Sequence, residues 1–477
     1  MRNDETAAGT LPATLTDSAD DRADRVSSPS PTLFIDATGV LRNFGCAPSG
    51  IPRVEEFLVR AAFAEADPAV VVVAFDHRRR AFRTLDVFEL HLLQDWQNPD
   101  PVNAEGGGFT QSVRRVFRFI RRYPTIGRFA DRDFAYVAAD RSRQGFRYHA
   151  AKIMIRAYRL YRRCLAQFTL WFSEPKRRLI DLTQGIVLLS HELVVDPTTS
   201  NEFDSARNKA FICHDLIPLL YPHLTFGAVH VDRFAASLRR VMQSPKTTAL
   251  CTSGTSLSML TEYTASAGIN QARIRQFRLP SALLEKVDHL ECTASKIEIK
   301  VPFILCCSTI EARKNHLMLA RVWQRAIDDG ITLPRLLCVG SWGWAVDELT
   351  NYLSAHPSLS SHIVFTGPVT DAQLIEYYRR AMFGVLPSLV EGWGYGASEC
   401  LDFGIPVIVS TAPALREATH GLMPAIDPND EAGWYAEIRR LSEDAGLRAW
   451  YHQQIADRYR PTSTASSWAQ VKAALLS

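Results

Sequence analysis

Pro387-Ser-Leu-Val-Glu-Gly-Trp-Gly-Tyr-Gly-Ala-Ser-Glu-Cys-Leu-Asp-Phe-Gly-Ile-Pro406 links two short apolar runs, 383–386 and 407–409, that read as strands. Gly392, Gly394 and Gly396 allow the backbone to approach a ligand and aim its amide N–H groups at it. The start of the short helix expected at 397–403 favours negative charge. A diphosphate suits that position. Glu391 lies in the loop and Glu399 inside the helix, eight positions on. Two carboxylates beside a diphosphate accept hydrogen bonds from the hydroxyls of a sugar or a ribose. The competing reading is a tight strand-to-helix turn carrying solvated glutamates.

The alternation of strand and helix runs outward from this stretch. Strands are expected at 302–307, 335–339 and 363–366, with helices at 315–327 and 371–381. Further upstream, 32–36 is a short apolar run. Residues 51–65 follow with Val54, Phe57, Leu58, Ala61 and Ala62 at helical spacing. Residues 70–75 are a continuous apolar run, the pattern of a parallel strand covered on both faces. Strands at 185–190, 210–213, 247–252 and 274–279 and a helix at 231–242 complete the series. The fold class is therefore α/β, with two doubly wound, Rossmann-like domains facing each other across a cleft and ligands at the carboxyl ends of the strands. The first domain is expected to cover 32–285, a polar linker 286–300, and the second domain 301–477.

A chain of 477 residues, 47% hydrophobic and 22% charged, has material for two such cores and excludes wholesale disorder. The longest apolar run, 69–75, is far short of the roughly 20 residues of a membrane-spanning helix. Nine cysteines without a C-x-x-C pair point to a reducing cytoplasm rather than a disulfide framework or a zinc site. Residues 1–31, rich in Ser, Thr, Ala and Asp and lacking the apolar segment of a signal peptide, read as a disordered tail. The net charge is only +3, yet residues 111–180 carry 18 Lys and Arg against four acids. This basic, helically patterned insertion asks for a partner or a surface. An anionic membrane is one candidate; a solvated basic face or an oligomer interface is the alternative. Its aromatics fall at helical rather than stacking-platform spacing, which argues against nucleic acid.

With its E-x7-E element, the central stretch resembles the retaining glycosyltransferases of family 4, whose GT-B fold consists of two facing Rossmann-like domains. The resemblance implies that Glu391 touches the donor sugar and Glu399 the nucleotide ribose. Gly394 and Tyr395 would supply backbone contacts, with Tyr395-Gly396 standing where Leu-Pro often follows the glycine. Phe303-Ile-Leu-Cys-Cys-Ser-Thr-Ile-Glu-Ala-Arg-Lys-Asn-His316 is similar to the family's first strand and loop of the nucleotide-binding domain. Arg313 and Lys314 stand where the family grips the donor diphosphate, whose charge grows as it leaves. Phe211-Ile-Cys-His-Asp-Leu-Ile-Pro-Leu-Leu-Tyr-Pro222 resembles another family segment, giving His214 a positioning role and Asp215 a supporting one. Ser49-Gly50-Ile51, followed by Arg53, resembles the family's first glycine loop, which brings Gly50 near the phosphates. Gly367-Pro-Val-Thr-Asp371, Leu415-Arg-Glu417 and Asp427-Pro-Asn-Asp430 also fit. Thr252-Ser-Gly-Thr-Ser256 departs from the pattern, since relatives often carry a glutamate after the serine.

The resemblance implies a nucleotide diphosphate sugar as donor, with GDP-mannose preferred, and a surface-polysaccharide glycan or glycolipid as acceptor. No cofactor and no metal are expected, because two cations and a helix N-terminus already meet the diphosphate. Asp131-Arg-Asp133 matches a metal-binding D-x-D, but it lies in the basic insertion. The expected location is cytoplasmic, with the insertion docked on the inner face of the cell membrane. The rivals are a GT-B nucleotide-sugar epimerase or hydrolase and, outside enzymes, a basic nucleic-acid-binding protein.

Overall fold

The computed structural model describes residues 31–43, 50–76, 79–86, 89–90, 93, 178–189, 203, 206, 208–225, 228–244, 246–269, 272–287 and 301–476. The expected tail, nearly all of the basic insertion with its D-x-D, and most of the linker lie outside them.

Thr32–Asp36 (β1), Val70–Asp76 (β2), Ala81–Thr84 (β3), Gly185–Leu189 (β4), Asn208–Cys213 (β5), Thr247–Cys251 (β6) and Arg273–Gln276 (β7) form a seven-stranded sheet in the order β3-β2-β1-β4-β5-β6-β7. Only β3 is antiparallel. Ile35 pairs with Val72 on one side and Leu188 on the other. Successive strand residues face opposite sides. Leu33 and Ile35 accordingly enter the core shared with the helix Ile51–Ala64 (α1), and Phe34 enters the core on the other face. Apolar cover on both faces is why these strands read as unbroken apolar runs. The helix Gly254–Ser266 (α2) follows β6 and is capped by the Ser253 side chain, which accepts from the Ser256 amide.

Phe303–Cys307 (β8), Arg335–Val339 (β9), Ile363–Gly367 (β10), Gly384–Leu386 (β11), Val407–Ser410 (β12) and Ala425–Ile426 (β13) form a second sheet, all parallel, in the order β10-β9-β8-β11-β12-β13. The helices Asp371–Arg380 (α3), Tyr395–Asp402 (α4) and Pro413–Ala418 (α5) follow β10, β11 and β12. Thr370 and Gln373 close a reciprocal capping box at the start of α3. The helix α4 begins two residues before the expected position because Gly394 takes φ 107 as its N-cap and turns the chain there. Strand order reverses between β8 and β11, which places their carboxyl ends at a topological switch point, where open α/β sheets bind ligands.

Two segments cross between the domains side by side, and the Ser281 amide donates to the Thr462 carbonyl at 2.9 Å. The second crossing delivers the last helix, Thr464–Leu476 (α6), back to the first domain. Trp468, Val471 and Leu475 are buried in the same core as Leu33 and α1. The Trp468 indole donates to Glu65 at 2.8 Å, and Lys472 pairs with the same carboxylate. By packing, then, the end of the 301–477 segment completes the first domain. Among the described residues no helix is long and apolar enough to cross a membrane.

Candidate active site

The loops after β8 and β11 bring four charged groups together. Arg313 and Lys314 occupy a single turn, Ala312–Lys314, directly after β8. Asn315 ends that turn at φ 59 and donates its side-chain amide to the Pro428 carbonyl at 2.8 Å, which fixes the turn against the β13 loop. Leu389 in the β11 loop donates its amide to the Arg313 carbonyl at 2.8 Å, so the two loops are stitched by backbone as well as by charge. Arg313 Nη1 donates to Glu391 Oε2 at 2.7 Å, and Lys314 Nζ pairs with Glu391 Oε1. The Ser388 hydroxyl donates to the same Oε1 at 2.8 Å. Glu311 faces Arg313 Nε at 2.5 Å.

Glu391 is buried, and burial alone raises a carboxyl. The Lys314 and Arg313 charges outweigh that and bring it down to about 2. Burial and the neighbouring Arg313 lower the Lys314 ammonium, against the pull of Glu391 and Glu311. Burial pushes the Asp215 carboxyl up, although Arg313 opposes it. Arg313 Nη2 donates to nothing among the described residues, so the turn retains donor capacity for an anion.

The central loop is pressed against the first domain. A Cβ on Gly392 would stand 2.5 Å from the His214 carbonyl oxygen and 2.9 Å from Asp215 Cβ, so only glycine fits. The Ser253 hydroxyl donates to the Gly392 carbonyl at 2.6 Å, and the Ser256 hydroxyl to the His214 carbonyl at 2.6 Å. Gly394 is required by its φ and by Leu415, whose Cδ2 would lie 2.3 Å from an added Cβ. Close protein neighbours thus account for both glycines. His214 and Asp215 directly follow β5 beside Gly392, both half-buried, and Asp215 accepts from the Ile217 amide at 3.0 Å.

Glu399 sits in a second cluster, inside α4. The Tyr378 hydroxyl donates to its Oε2 at 2.7 Å, and Arg53 Nε of α1 stands 3.5 Å from its Oε1. Arg53 Nη2 also donates to Asp371 at 3.1 Å, and Lys286 donates to the other Asp371 oxygen at 2.7 Å and to Glu56 at 2.8 Å. Burial favours the neutral Asp371 acid, but Arg53 and Lys286 bring its carboxyl down to about 2. Burial pushes Glu399 up against the opposing pull of Arg53. The Arg53 Nη1 atom and the Tyr395 hydroxyl are buried without a hydrogen-bond partner. Gly50, at φ 53, leads into α1 three residues before Arg53. The structure therefore joins Arg313, Lys314 and Glu391 directly and sets Asp215 beside them. It places Glu399 and Tyr395 in the separate Arg53 cluster, where the Arg53 amide donates to the Gly50 carbonyl at 3.0 Å.

Sequence reasoning missed Glu311, Ser388, Tyr378, Ser253, Ser256 and the charge bridge from Arg53 to Asp371. The one available signal was the lone arginine near the start of an apolar helix face.

Residues 301–444, the segment holding both clusters' second-domain members, match the family described as glycosyl transferases group 1. That match lies within the second domain. Over 272 residues, 54% of this chain, the protein is 25% identical to the serotype-specific mannosyltransferase WbdA of Escherichia coli. Over 170 residues it is 29% identical to the O-antigen chain mannosyltransferase B of Escherichia coli, covering 36% of this chain. The chain spans 31% and 41% of the lengths of these two relatives. Among solved structures, HepE of Anabaena, in complex with UDP and glucose, aligns over 94% of this chain and 99% of its own with a TM-score of 0.52 at 14% identity. That likeness covers both sheets, and the fold is GT-B.

Proposed function

We propose that the protein is a retaining, metal-independent glycosyltransferase that moves a sugar, with mannose from GDP-mannose preferred, onto a surface-polysaccharide glycan or lipid-linked acceptor. The observation that carries this reading is the buried Arg313–Lys314–Glu391 cluster at the switch point of a group 1 glycosyltransferase domain. Departure of a nucleoside diphosphate concentrates negative charge on the leaving oxygens. Fixed cations in a water-poor site stabilise that charge more in the transition state than in the ground state. Arg313 and Lys314 supply it without a metal or cofactor, and Glu391 holds both in place while lying close enough to meet a donor hydroxyl. In this reading Glu399 serves the ribose, Gly50, Gly394 and Tyr395 line the donor, and His214, supported by Asp215, positions the reacting sugar. The matches to WbdA and to the O-antigen enzyme support mannose and a polysaccharide acceptor.

The interdomain contacts at Gly392, Arg53 and Glu417 describe a closed cleft of the kind that excludes water from a reactive donor. A cytoplasmic location and docking of the 111–180 insertion on an anionic membrane complete the proposal, since a lipid-linked acceptor presents itself at such a surface. The test is a panel of nucleotide sugars with purified protein, scored by donor-dependent thermal stabilisation and then by transfer in the presence of EDTA. Stabilisation and EDTA-resistant transfer with an α-configured product from an α-configured donor are expected. Release of free sugar without acceptor identifies the hydrolase instead, and stabilisation by no nucleotide sugar overturns the reading.

A further inference from the structure

Where the two crossings leave the domains, the described residues enclose a cavity of about 530 Å3, within the size range of small-molecule sites. Both domains build it. Gln276 and Arg278 come from the end of β7, and Trp393, Arg416 and His420 come from the second domain. The cavity lies on the Ser398 side of α4, apart from the Arg313 and Lys314 turn, which contributes nothing to its lining.

Its charge is unbalanced. One acid, Glu417, lines it, and that carboxylate is consumed by the first domain. The Gly254 amide donates to it at 2.7 Å, the Thr255 amide at 3.2 Å and the Gln276 side-chain amide at 3.0 Å. The Arg278 and Arg416 guanidinium groups form no ion pair or hydrogen bond among the described residues. Two guanidiniums without a partner among those residues thus line one cavity from different domains, and planar N–H forks suit phosphate oxygens. Burial and the Arg278 charge both lower the His420 imidazole, against Glu417. The remaining wall offers the Trp393 ring and side-chain amides, groups that stack on and hydrogen-bond to a hydroxylated ring.

We propose that this interdomain cavity is a second ligand site, separate from the donor site, that binds a small phosphorylated sugar through Arg278 and Arg416. The site stands whatever the chain transfers. A ligand held by arginines of both domains favours the arrangement in which they face one cavity. Trp393, two residues from Glu391, packs against the cores of both domains and carries that preference to the donor loop.

The experiment uses the full chain and glucose 6-phosphate as probe, with glucose, inorganic phosphate and sodium chloride at matched ionic strength as controls, read by calorimetry and melting temperature. Saturable binding of glucose 6-phosphate is expected, weakened tenfold or more in Arg278→Gln and in Arg416→Gln and retained in an Arg313→Gln, Lys314→Gln double variant. Both arginines are exposed, so the unliganded melting temperature of their variants should match that of the parent. Three results would overturn the proposal: no binding at millimolar probe, binding indifferent to Arg278 and Arg416, or binding lost only with Arg313 and Lys314. Inorganic phosphate binding as tightly as glucose 6-phosphate would overturn the sugar part of it.

Discussion

Replacing Glu391 by Gln removes one charge from the centre of the site and keeps the shape. The carboxyl is held down to about 2 in the folded protein by Lys314 and Arg313, against an ordinary 4.5. At about 1.4 kcal/mol for each pH step between the two, the charged form contributes about 3 kcal/mol at pH 7. Because the folded value lies below the unfolded one, this contribution is complete above about pH 4.5 and falls as the pH drops toward 2, with about 2 kcal/mol remaining near pH 3.5. A buried pair broken from one side costs a similar amount, about 3–5 kcal/mol, since Arg313 and Lys314 stay behind uncompensated. For a domain of this size, about 3 kcal/mol corresponds to a melting shift of roughly 6–12 °C. Calorimetry of wild type and Glu391→Gln from pH 7 to about 3.5 should show a large gap at neutral pH that narrows on acidification. A gap that is constant with pH, or absent at pH 7, would show that Glu391 is not the charged partner of the two cations.

Arg313→Ala and Lys314→Ala should each lower kcat/KM by roughly 10²-fold or more, since loss of one such donor costs about 3 kcal/mol at the transition state; wild-type turnover in both would remove the diphosphate role. Glu399→Gln should weaken nucleoside diphosphate binding, and a titration showing parental affinity would place the ribose elsewhere. Burial raises Asp402 to about 7 although the Ser281 and Tyr459 hydroxyls donate to it. Its folded value exceeds the unfolded one, so its stabilising contribution is complete only below about pH 4 and is lost progressively as the pH rises from there through about 7. Asp402→Asn should therefore melt well above wild type at pH 8, with the gap narrowing on acidification and closing near pH 4, and the opposite order would refute the assignment. Purified protein should sediment with anionic but not neutral vesicles, and replacing Arg114, Arg115, Arg118, Arg121 and Arg122 by Gln should abolish this; equal sedimentation with both vesicle types ends the membrane reading.

Strands buried on both faces were legible because continuous apolar runs such as 70–75 and 303–307 have few other uses. The turn residues Arg313 and Lys314 and the carboxylate Glu391 were legible as chemistry, because basic and acidic groups in short loops after apolar strands stand out. Their mutual contact was not, since 77 positions separate Lys314 from Glu391. The same limit hid the Arg53 bridge, whose partner Asp371 lies 318 positions away. The antiparallel strand β3 escaped notice because a four-residue edge strand containing Arg83 has no unbroken apolar run. In α6, Trp468, Val471 and Leu475 carry a readable helical spacing, but nothing local says that their core belongs to the other domain.

The destination of α6 bears on how the protein is made. Domains of a nascent chain ordinarily fold in the order in which they leave the ribosome. Here the amino-terminal domain must wait with an open groove, where Leu33 and the α1 side chains lack their cover, until residues 464–476 have emerged. Translation of the whole second domain fills that interval. An isolated fragment ending near residue 285 should consequently be sticky when expressed alone. Co-expression with a separate peptide of residues 460–477 should restore its solubility, the peptide being retained through Trp468 and its bond to Glu65.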